Sequence, residues 1–417
     1  MPGAETKSVT IVGAGQAGLQ VVLSLRRRGF SGRITLLGDE NHLPYQRPPL
    51  SKAFLKGELE ERRLYFKPAT FYPDQGIDLH RSASVTRIDR SKRVVVTGNG
   101  REFGYDRLVL ATGATPLRIP LPGSNRDGVC VLRGIDDAMA LREFLLRDGR
   151  LVVVGGGHIG LEVASAARQL GRDVSVIERL PRVMSRVTSP VVSDFYLDLH
   201  RRHGVDIRLG ETITGILGDD RVIGVRLGSG AELAATTVLV GVGVQPNQQI
   251  AAEAGLRCDN GILVDDGLRT SDPSIYAAGD CARRVFPDGH TLRLESVHGA
   301  RDHGERIAAN LAGDAVVPDD PPWFWSDQYD VKLQTAGLST GFAELQVRGD
   351  PGTGHFSVLY FLNQELTAVD AVNDPSTFMA VKQLLKKQIR VTANEVRDPK
   401  LELKALLPAT TQRKATQ

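Results

Sequence analysis

Cysteine is scarce. The chain has three in 417 residues, Cys130, Cys258 and Cys281, and they are scattered and odd in number. Such spacing makes neither a disulfide framework nor a zinc site, which points to a reducing compartment. Long apolar runs are missing too: no stretch stays apolar for about 18 residues, the length a membrane-spanning helix needs. No secretory leader pattern opens the sequence, since Glu5 and Lys7 precede an apolar run that passes straight into glycines. A cytoplasmic chain is expected. Charge of one sign is also lacking, with 52 Lys and Arg against 49 Asp and Glu, a net charge of +3. No global field recruits nucleic acid, and no segment reads as a basic arm. Glycine, by contrast, is plentiful at 44 residues, and the length allows two or three domains with sizeable cores.

The glycines are placed, not sprinkled. Val9-Thr10-Ile11-Val12-Gly13-Ala14-Gly15-Gln16-Ala17-Gly18 is a β-branched run that ends in a tight glycine turn, and a helical apolar pattern (Leu19, Val22, Leu23, Leu25) follows. Strand, glycine turn and helix in that order suit a dinucleotide pyrophosphate. Gly13 permits the turn, Gly15 lets the backbone approach the phosphates, and Ala17 and Gly18 keep the helix close to the strand. The anion then rests on the helix's free N–H groups. One such pattern is a weak signal. A second, Leu151-Val152-Val153-Val154-Gly155-Gly156-Gly157-His158-Ile159-Gly160, repeats it far downstream, with a helix expected over 161–170.

Each turn has an acidic partner. The second strand of the first unit, 34–37, is followed by Gly38 and then Asp39, which is assigned to the ribose with a one-residue slip. In the second unit, strand 174–177 ends directly in Glu178. A carboxylate there accepts from the 2′- and 3′-hydroxyls and repels a 2′-phosphate, which favours NADH over NADPH, although Arg179 and Arg182 lie nearby. Between the units run Leu43-Pro44-Tyr45-Gln46-Arg47-Pro48-Pro49-Leu50-Ser51-Lys52, a rigid double-proline loop with Ser51 as a plausible helix cap, and strand 108–110 with its small turn Ala111-Thr112-Gly113. Lys52 reads equally as a surface lysine or a cofactor contact. Downstream, Thr270 to Asp280 contains an apolar strand leading into Ala278-Gly279-Asp280, and Asp280 is assigned to a ribityl hydroxyl beside the pyrophosphate.

These motifs resemble those of the putidaredoxin reductase family, FAD-containing, NADH-dependent ferredoxin reductases, over about residues 9–372. The resemblance implies two Rossmann-like dinucleotide-binding domains and a C-terminal α+β domain in the glutathione-reductase-like arrangement. The FAD domain is expected over 1–117 and 247–324, the NAD domain over 118–246 and the third domain over 325–417. It further implies that Lys52 lies close to the flavin and pairs with Glu162, that Val85 touches the adenine through its backbone, and that Arg133 contacts FAD. The Val297 backbone at a helix start is implied to face flavin N1 and O2, and Trp325 the flavin's edge. His158 is read as packing against nicotinamide, and His298 as a neighbour of the flavin. Gly243 marks the crossing back into the first domain. A small β-meander is expected over 83–96, strands over 205–209, 222–227, 238–244, 331–337, 356–362 and 366–372, and an amphipathic helix over 376–389. The tail from about residue 407 reads as disordered.

Chemistry is narrowed by what the flavin would lack. No Cys-x-x-Cys stands ready for disulfide reduction, and no cysteine falls in the 44–52 loop, where related oxidases and peroxidases carry one. The expected reaction takes hydride from NADH to FAD and delivers single electrons to a 2Fe-2S ferredoxin serving a cytochrome P-450 or a ring-hydroxylating oxygenase. A rubredoxin partner is the close alternative, and a redox-sensing flavoprotein resembling apoptosis-inducing factor is a second class. Arg301, Arg306, Lys386, Lys387 and Arg390 could steer an acidic ferredoxin, or could simply be a solvated face.

Overall fold

The computed structural model describes residues 6–315, 319–398 and 400–408. They divide into two compact units. One takes the described residues of 1–119, 130–143 and 240–318, the other those of 120–129, 144–239 and 319–417. The expected disorder after residue 407 concerns a tail that lies, from 409 on, outside the described residues.

The first unit is built on a parallel sheet ordered Ile275–Ala277, Arg107–Leu110, Ser8–Val12, Arg33–Leu37, Ile77–His80. Its strands are short apolar runs because both faces are covered, so they read as continuous hydrophobics instead of alternating. Val9, Ile11, Leu36, Leu108 and Ile275 are fully buried. Helix Gln16–Arg27 lies against helix Val297–Ala312, and the approach is close enough that a Cβ on Gly304 would fall 2.6 Å from the Gln20 Cβ. The expected meander is a three-stranded antiparallel sheet, Val85–Asp89, Val94–Thr97 and Glu102–Gly104. The 238–244 run breaks at its glycines into Thr237–Val240 and Val244–Pro246, and the latter pairs antiparallel with Ala114–Pro116.

The second unit repeats the nucleotide fold in a sheet ordered Asp206–Leu209, Asp173–Glu178, Arg150–Val154, Thr237–Val240, Val129–Cys130, whose first three strands are parallel. It also contains an antiparallel sheet of five strands, ordered Trp323–Gln328, Val331–Gly337, Glu365–Val372, His355–Leu362, Glu344–Asp350. Two of these five strands were not anticipated. Trp323–Gln328 carries aromatics that suit a core or a cofactor's edge as well as a strand, and Glu344–Asp350 is an exposed edge with only Leu345 and Val347 apolar. Helix Pro375–Lys386 covers the sheet through Phe378, Val381 and Leu384, and starts where Asp374 accepts from the Thr377 N–H at 3.1 Å with proline just inside.

Ser51 is not the helix cap it was read as. It is buried within a short 3₁₀ turn, Pro48–Ser51, and Lys52 occupies the N-cap position of the following four-residue helix, which has no side-chain cap.

Candidate functional site

In the first unit the chain leaves strand Ser8–Val12 through Gly13, whose φ of +110° only glycine adopts without strain. A Cβ there would also strike the Ala111 carbonyl oxygen at 2.0 Å, and one on Gly18 would strike the Gly13 carbonyl oxygen at 1.9 Å. Gly15 is different. It sits at the helix N-cap with nothing within 4 Å of an added Cβ, so its glycine leaves open space for a group to approach the backbone. Ala17 is buried behind this turn, and Gly279, with φ +73°, comes to 3.0 Å from the Ala17 Cβ by the same measure. The glycine turn, the Gly279–Asp280 turn and the helix at Val297 therefore converge. His303 on that helix fixes the convergence by accepting from the Gly279 N–H at 3.1 Å. Sequence reasoning missed His303, for a lone histidine inside a helix carries no signal.

A cavity of about 630 Å³ opens beside Gly13, lined among others by Asp39, Val85, Thr112, Asn247 and Gln248. Asp39 is exposed and Val85 opens its strand, so two expected adenosine contacts border one space. The Ala111-Thr112-Gly113 turn is clamped by Asn247, which was also missed: Thr112 Oγ1 donates to the Asn247 carbonyl at 2.6 Å, and Asn247 Nδ2 donates to the Thr112 carbonyl at 2.8 Å. Beside Gly113, Arg133 Nη2 donates to Asp280 Oδ2 at 2.8 Å, which joins two residues assigned separately to the cofactor. Arg47 holds the Arg133 carbonyl at 2.7 Å and Glu40 Oε1 at 2.6 Å, while Tyr45 donates to Glu40 Oε2 at 2.6 Å. Burial pushes the Tyr45 hydroxyl up, so it remains a donor. Lys52 Nζ lies 3.3 Å from the Pro48 carbonyl at the end of the rigid loop. Ser296 caps the helix at Val297, accepting from the Gly299 N–H at 3.0 Å, and leaves the first-turn N–H groups oriented together. Gly243, with φ +120°, accepts from the Leu117 N–H at 2.9 Å beside the strand pair that crosses between segments.

The second unit repeats the turn with one instructive change. Gly155 has φ +108°, Gly157 is open to solvent like Gly15, and a Cβ on Gly160 would meet the Gly155 carbonyl oxygen at 2.1 Å. The residue inside the turn is Ala14 in the first unit and Gly156 in the second. A Cβ on Gly38 would lie 2.8 Å from the Ala14 Cβ, so Gly38 must stay glycine and the acid moves on to Asp39. Gly156 makes room, and Glu178 stands at the strand end with Oε2 accepting from the Gly156 N–H and Oε1 from the Leu180 N–H, both at 2.7 Å. A carboxylate has about four acceptor sites, so ribose hydroxyls can still be taken. Arg182 is turned away onto Ser193 Oγ at 2.7 Å, and Arg179 is exposed. Ile159 is 45% exposed beside the open Gly157, apolar surface that a nucleotide would cover.

Glu162 follows on the same helix, His158–Gln169, and is buried, with Oε1 accepting from Ser326 Oγ at 2.7 Å. The His158 ring packs on Phe324 at 4.7 Å between centroids. Trp325 is half-buried, 5.5 Å from Trp323. Of the basic residues assigned to docking, Arg301, Lys386, Lys387 and Arg390 are exposed, whereas Arg306 is only 4% exposed and faces Asp302 at 3.7 Å. Arg306 is thus a buried helix residue and cannot present a docking charge. Lys386 is paired with Asp320 at 2.6 Å and Arg390 with Glu365. Lys382 sits over the Trp323 ring at 4.4 Å.

Cys281 is fully buried, its Sγ 3.3 Å from the Ala278 carbonyl, and burial pushes its thiol up. It is an apolar filler, not a redox thiol. All three cysteines are free, no group of metal ligands occurs among the described residues, and no described helix is long and apolar enough to cross a membrane.

Two open glycine cradles, each with a carboxylate at or just after its second strand, suit two dinucleotides, and the chain is an oxidoreductase that uses FAD and NAD(H). Residues 7–304 match the family described as pyridine nucleotide-disulphide oxidoreductase, residues 323–407 match the reductase C-terminal family, and the chain belongs to both. It is 44% identical to rhodocoxin reductase of Rhodococcus erythropolis over 95% of this chain and 93% of that protein. It is 40% identical to putidaredoxin reductase of Pseudomonas putida over 96% of this chain and 97% of that protein. The crystal structure of the covalent putidaredoxin reductase–putidaredoxin complex superimposes with a TM-score of 0.94 at 40% identity, covering 97% of this chain and 98% of that one.

Proposed function

We propose that the chain is an NADH-dependent reductase of a small 2Fe-2S ferredoxin. FAD belongs to residues 1–117 and 247–324, NADH to 118–246, and 325–417 form the third domain. The reading rests on one observation above others: beside two nucleotide cradles the described residues hold no thiol pair, and the cysteines are scattered, two of them buried. A disulfide acceptor has no seat, so an outside acceptor must take the electrons. When bound, FAD accepts a hydride equivalent from NADH and releases electrons singly, which suits an iron–sulfur partner.

The chain's own residues do the holding. Gly13, Gly15, Ala17 and Gly18 seat the FAD pyrophosphate on the helix N-terminus, Asp39 takes the adenosine ribose, and the Val85 backbone takes the adenine. Ala111, Thr112 and Gly113 flank the dinucleotide, while the Arg133–Asp280 pair places a carboxylate for a ribityl hydroxyl and a cation for the phosphates. The N–H groups at Val297 stabilise negative charge on the flavin's pyrimidine side. Gly155, Gly157, Ile159 and Gly160 seat NADH, and Glu178 selects the unphosphorylated ribose. Lys52 is assigned to the flavin, Glu162 to the nicotinamide, and Trp325 to the flavin's edge. Arg301 and Lys387 supply the freest charges for an acidic partner. Free thiols throughout fit a cytoplasmic setting.

NADH-driven reduction of cytochrome c, with and without an added 2Fe-2S ferredoxin, tests this reading. A rate that rises at least tenfold with the ferredoxin supports it. A rate that responds only to rubredoxin, run in parallel, replaces the partner, and a rate indifferent to both removes the reductase reading.

A further inference from the structure

We propose that Ser326 is a positioning residue for Glu162, held by a one-way chain of hydrogen bonds that begins at Tyr329. The proposal rests on the reading of Glu162 as a carboxylate that meets the nicotinamide. Strand Trp323–Gln328 lies along the helix that carries Glu162, and side chains two apart share a face. Ser326 and Gln328 therefore point the same way, and both are fully buried. Trp325, one residue before Ser326, belongs to the opposite face. One short strand sets two groups of the proposed reaction centre at once.

The bonds run in sequence. Ser326 Oγ donates to Glu162 Oε1 at 2.7 Å, and Gln328 Nε2 donates to Ser326 Oγ at 3.1 Å. The Gln328 Oε1 lies 2.8 Å from His200 Nε2, and the Tyr329 hydroxyl lies 3.4 Å from His200 Nδ1. His200 is fully buried, and burial pushes it down to about 4, so the ring is neutral near pH 7 with one donor and one acceptor. With its proton on Nε2 it donates to Gln328 and accepts from Tyr329. Every group then donates toward the carboxylate, and each bond polarises the next. Because Gln328 presents a donor to Ser326, it does not compete with Glu162 for the one serine proton.

The far end is anchored at a cost in backbone strain. Tyr329 has φ +55° in the two-residue turn between Gln328 and Val331, a position where glycine or asparagine is usual. Ser165 Oγ on the Glu162 helix accepts from the Tyr329 N–H at 2.7 Å, and the Tyr329 ring stacks on His203 at 3.7 Å with 11° between planes. The strand cannot slide along the helix without breaking these contacts, and Ser326 keeps its register on Glu162. A carboxylate with one oxygen pinned cannot rotate freely, and the ligand meets a pre-oriented acceptor.

The test is a double-mutant cycle on the flavin-loaded protein, with Ser326→Ala, Glu162→Ala and the pair. Two quantities are read: NAD⁺ affinity by calorimetry, and the rate of flavin reduction by NADH in stopped flow. Ser326→Ala should weaken both by about tenfold, the worth of one hydrogen bond to a charged group, with flavin content unchanged and the protein still folded at the assay temperature. In the Glu162→Ala background the same substitution should change them less than about twofold, and Ser326→Thr should restore them. A full Ser326→Ala effect that persists without Glu162 overturns the proposal, as does no effect at all. If Glu162→Ala itself changes neither quantity, the reading of Glu162 falls, a result distinct from failure of the chain alone. Should Ser326→Ala fail to fold, Gln328→Leu enters the same cycle, with coupling to Glu162 expected and independence contradicting it.

Discussion

A single methyl group decides how each nucleotide fold ends its second strand. Where Ala14 fills the turn, position 38 has to be glycine and the carboxylate comes one residue later, at Asp39; where Gly156 leaves the space, Glu178 stands at the strand end and bonds back to the turn. The motif spacing made the place of both acids legible, because the glycines and the acid that follows are local. The Arg133–Asp280 pair was legible only as two separate residues, since 147 positions part them and an ion pair at that separation leaves no pattern in sequence. His303 and Asn247 left none either. Two expectations follow at this scale. Glu178→Ala removes an acceptor for two hydroxyls and frees the Gly156 N–H, so the KM for NADH should rise on the order of 10- to 100-fold with flavin content intact; steady-state kinetics checks it, and an unchanged KM refutes the assignment. Asp280→Ala leaves Arg133 without its carboxylate and deletes the ribityl acceptor, and the purified protein should lose most of its yellow colour, read as the flavin-to-protein absorbance ratio.

Elements tell a different story about legibility. Short apolar strands ending in glycine were evident, but Glu344–Asp350 was not, because its alternation is short, only Leu345 and Val347 being apolar before Gly349 interrupts it. The same five-stranded sheet holds a buried acid. Asp370 Oδ2 accepts from the Tyr360 hydroxyl at 2.5 Å and from Thr188, and so ties the loop after Glu178 to the sheet. Burial raises Asp370 from 3.8 to about 6. A raised acid contributes stability that is full below its unfolded value and is lost as pH rises through the folded one. His200, lowered from 6.5 to about 4, works the other way, its contribution present above 6.5 and lost as pH falls through about 4. Comparing wild type with Asp370→Asn cancels His200. Between about pH 5 and about pH 8 the wild type should lose about 1 kcal/mol relative to the variant. Urea unfolding at the two pH values measures it, and parallel losses in both proteins would contradict a buried, titrating Asp370.

On the scale of the whole molecule, net charge is small, so any steering of a partner must come from a local patch. Counting basic residues along the last helix overstated that patch, because sequence does not show that Lys386 and Arg390 are matched by Asp320 and Glu365, that Lys382 lies over Trp323, or that Arg306 is buried. Arg301 and Lys387 remain exposed and carry the expectation. Reversing both to glutamate should slow ferredoxin reduction roughly tenfold at low salt, and less at high salt, while ferricyanide reduction stays unchanged. Equal slowing of both acceptors would place the effect inside the protein instead of at a docking face.

The account stands on one cradle keeping a flavin and the other admitting NADH. Anaerobic titration of the purified protein with NADH, followed through the flavin's visible absorption, addresses both. Bleaching complete at one equivalent of NADH per flavin, reversed on adding an oxidised 2Fe-2S ferredoxin, is the result predicted. A protein that takes up no flavin on reconstitution, or whose bound flavin keeps its absorption under excess NADH, contradicts it.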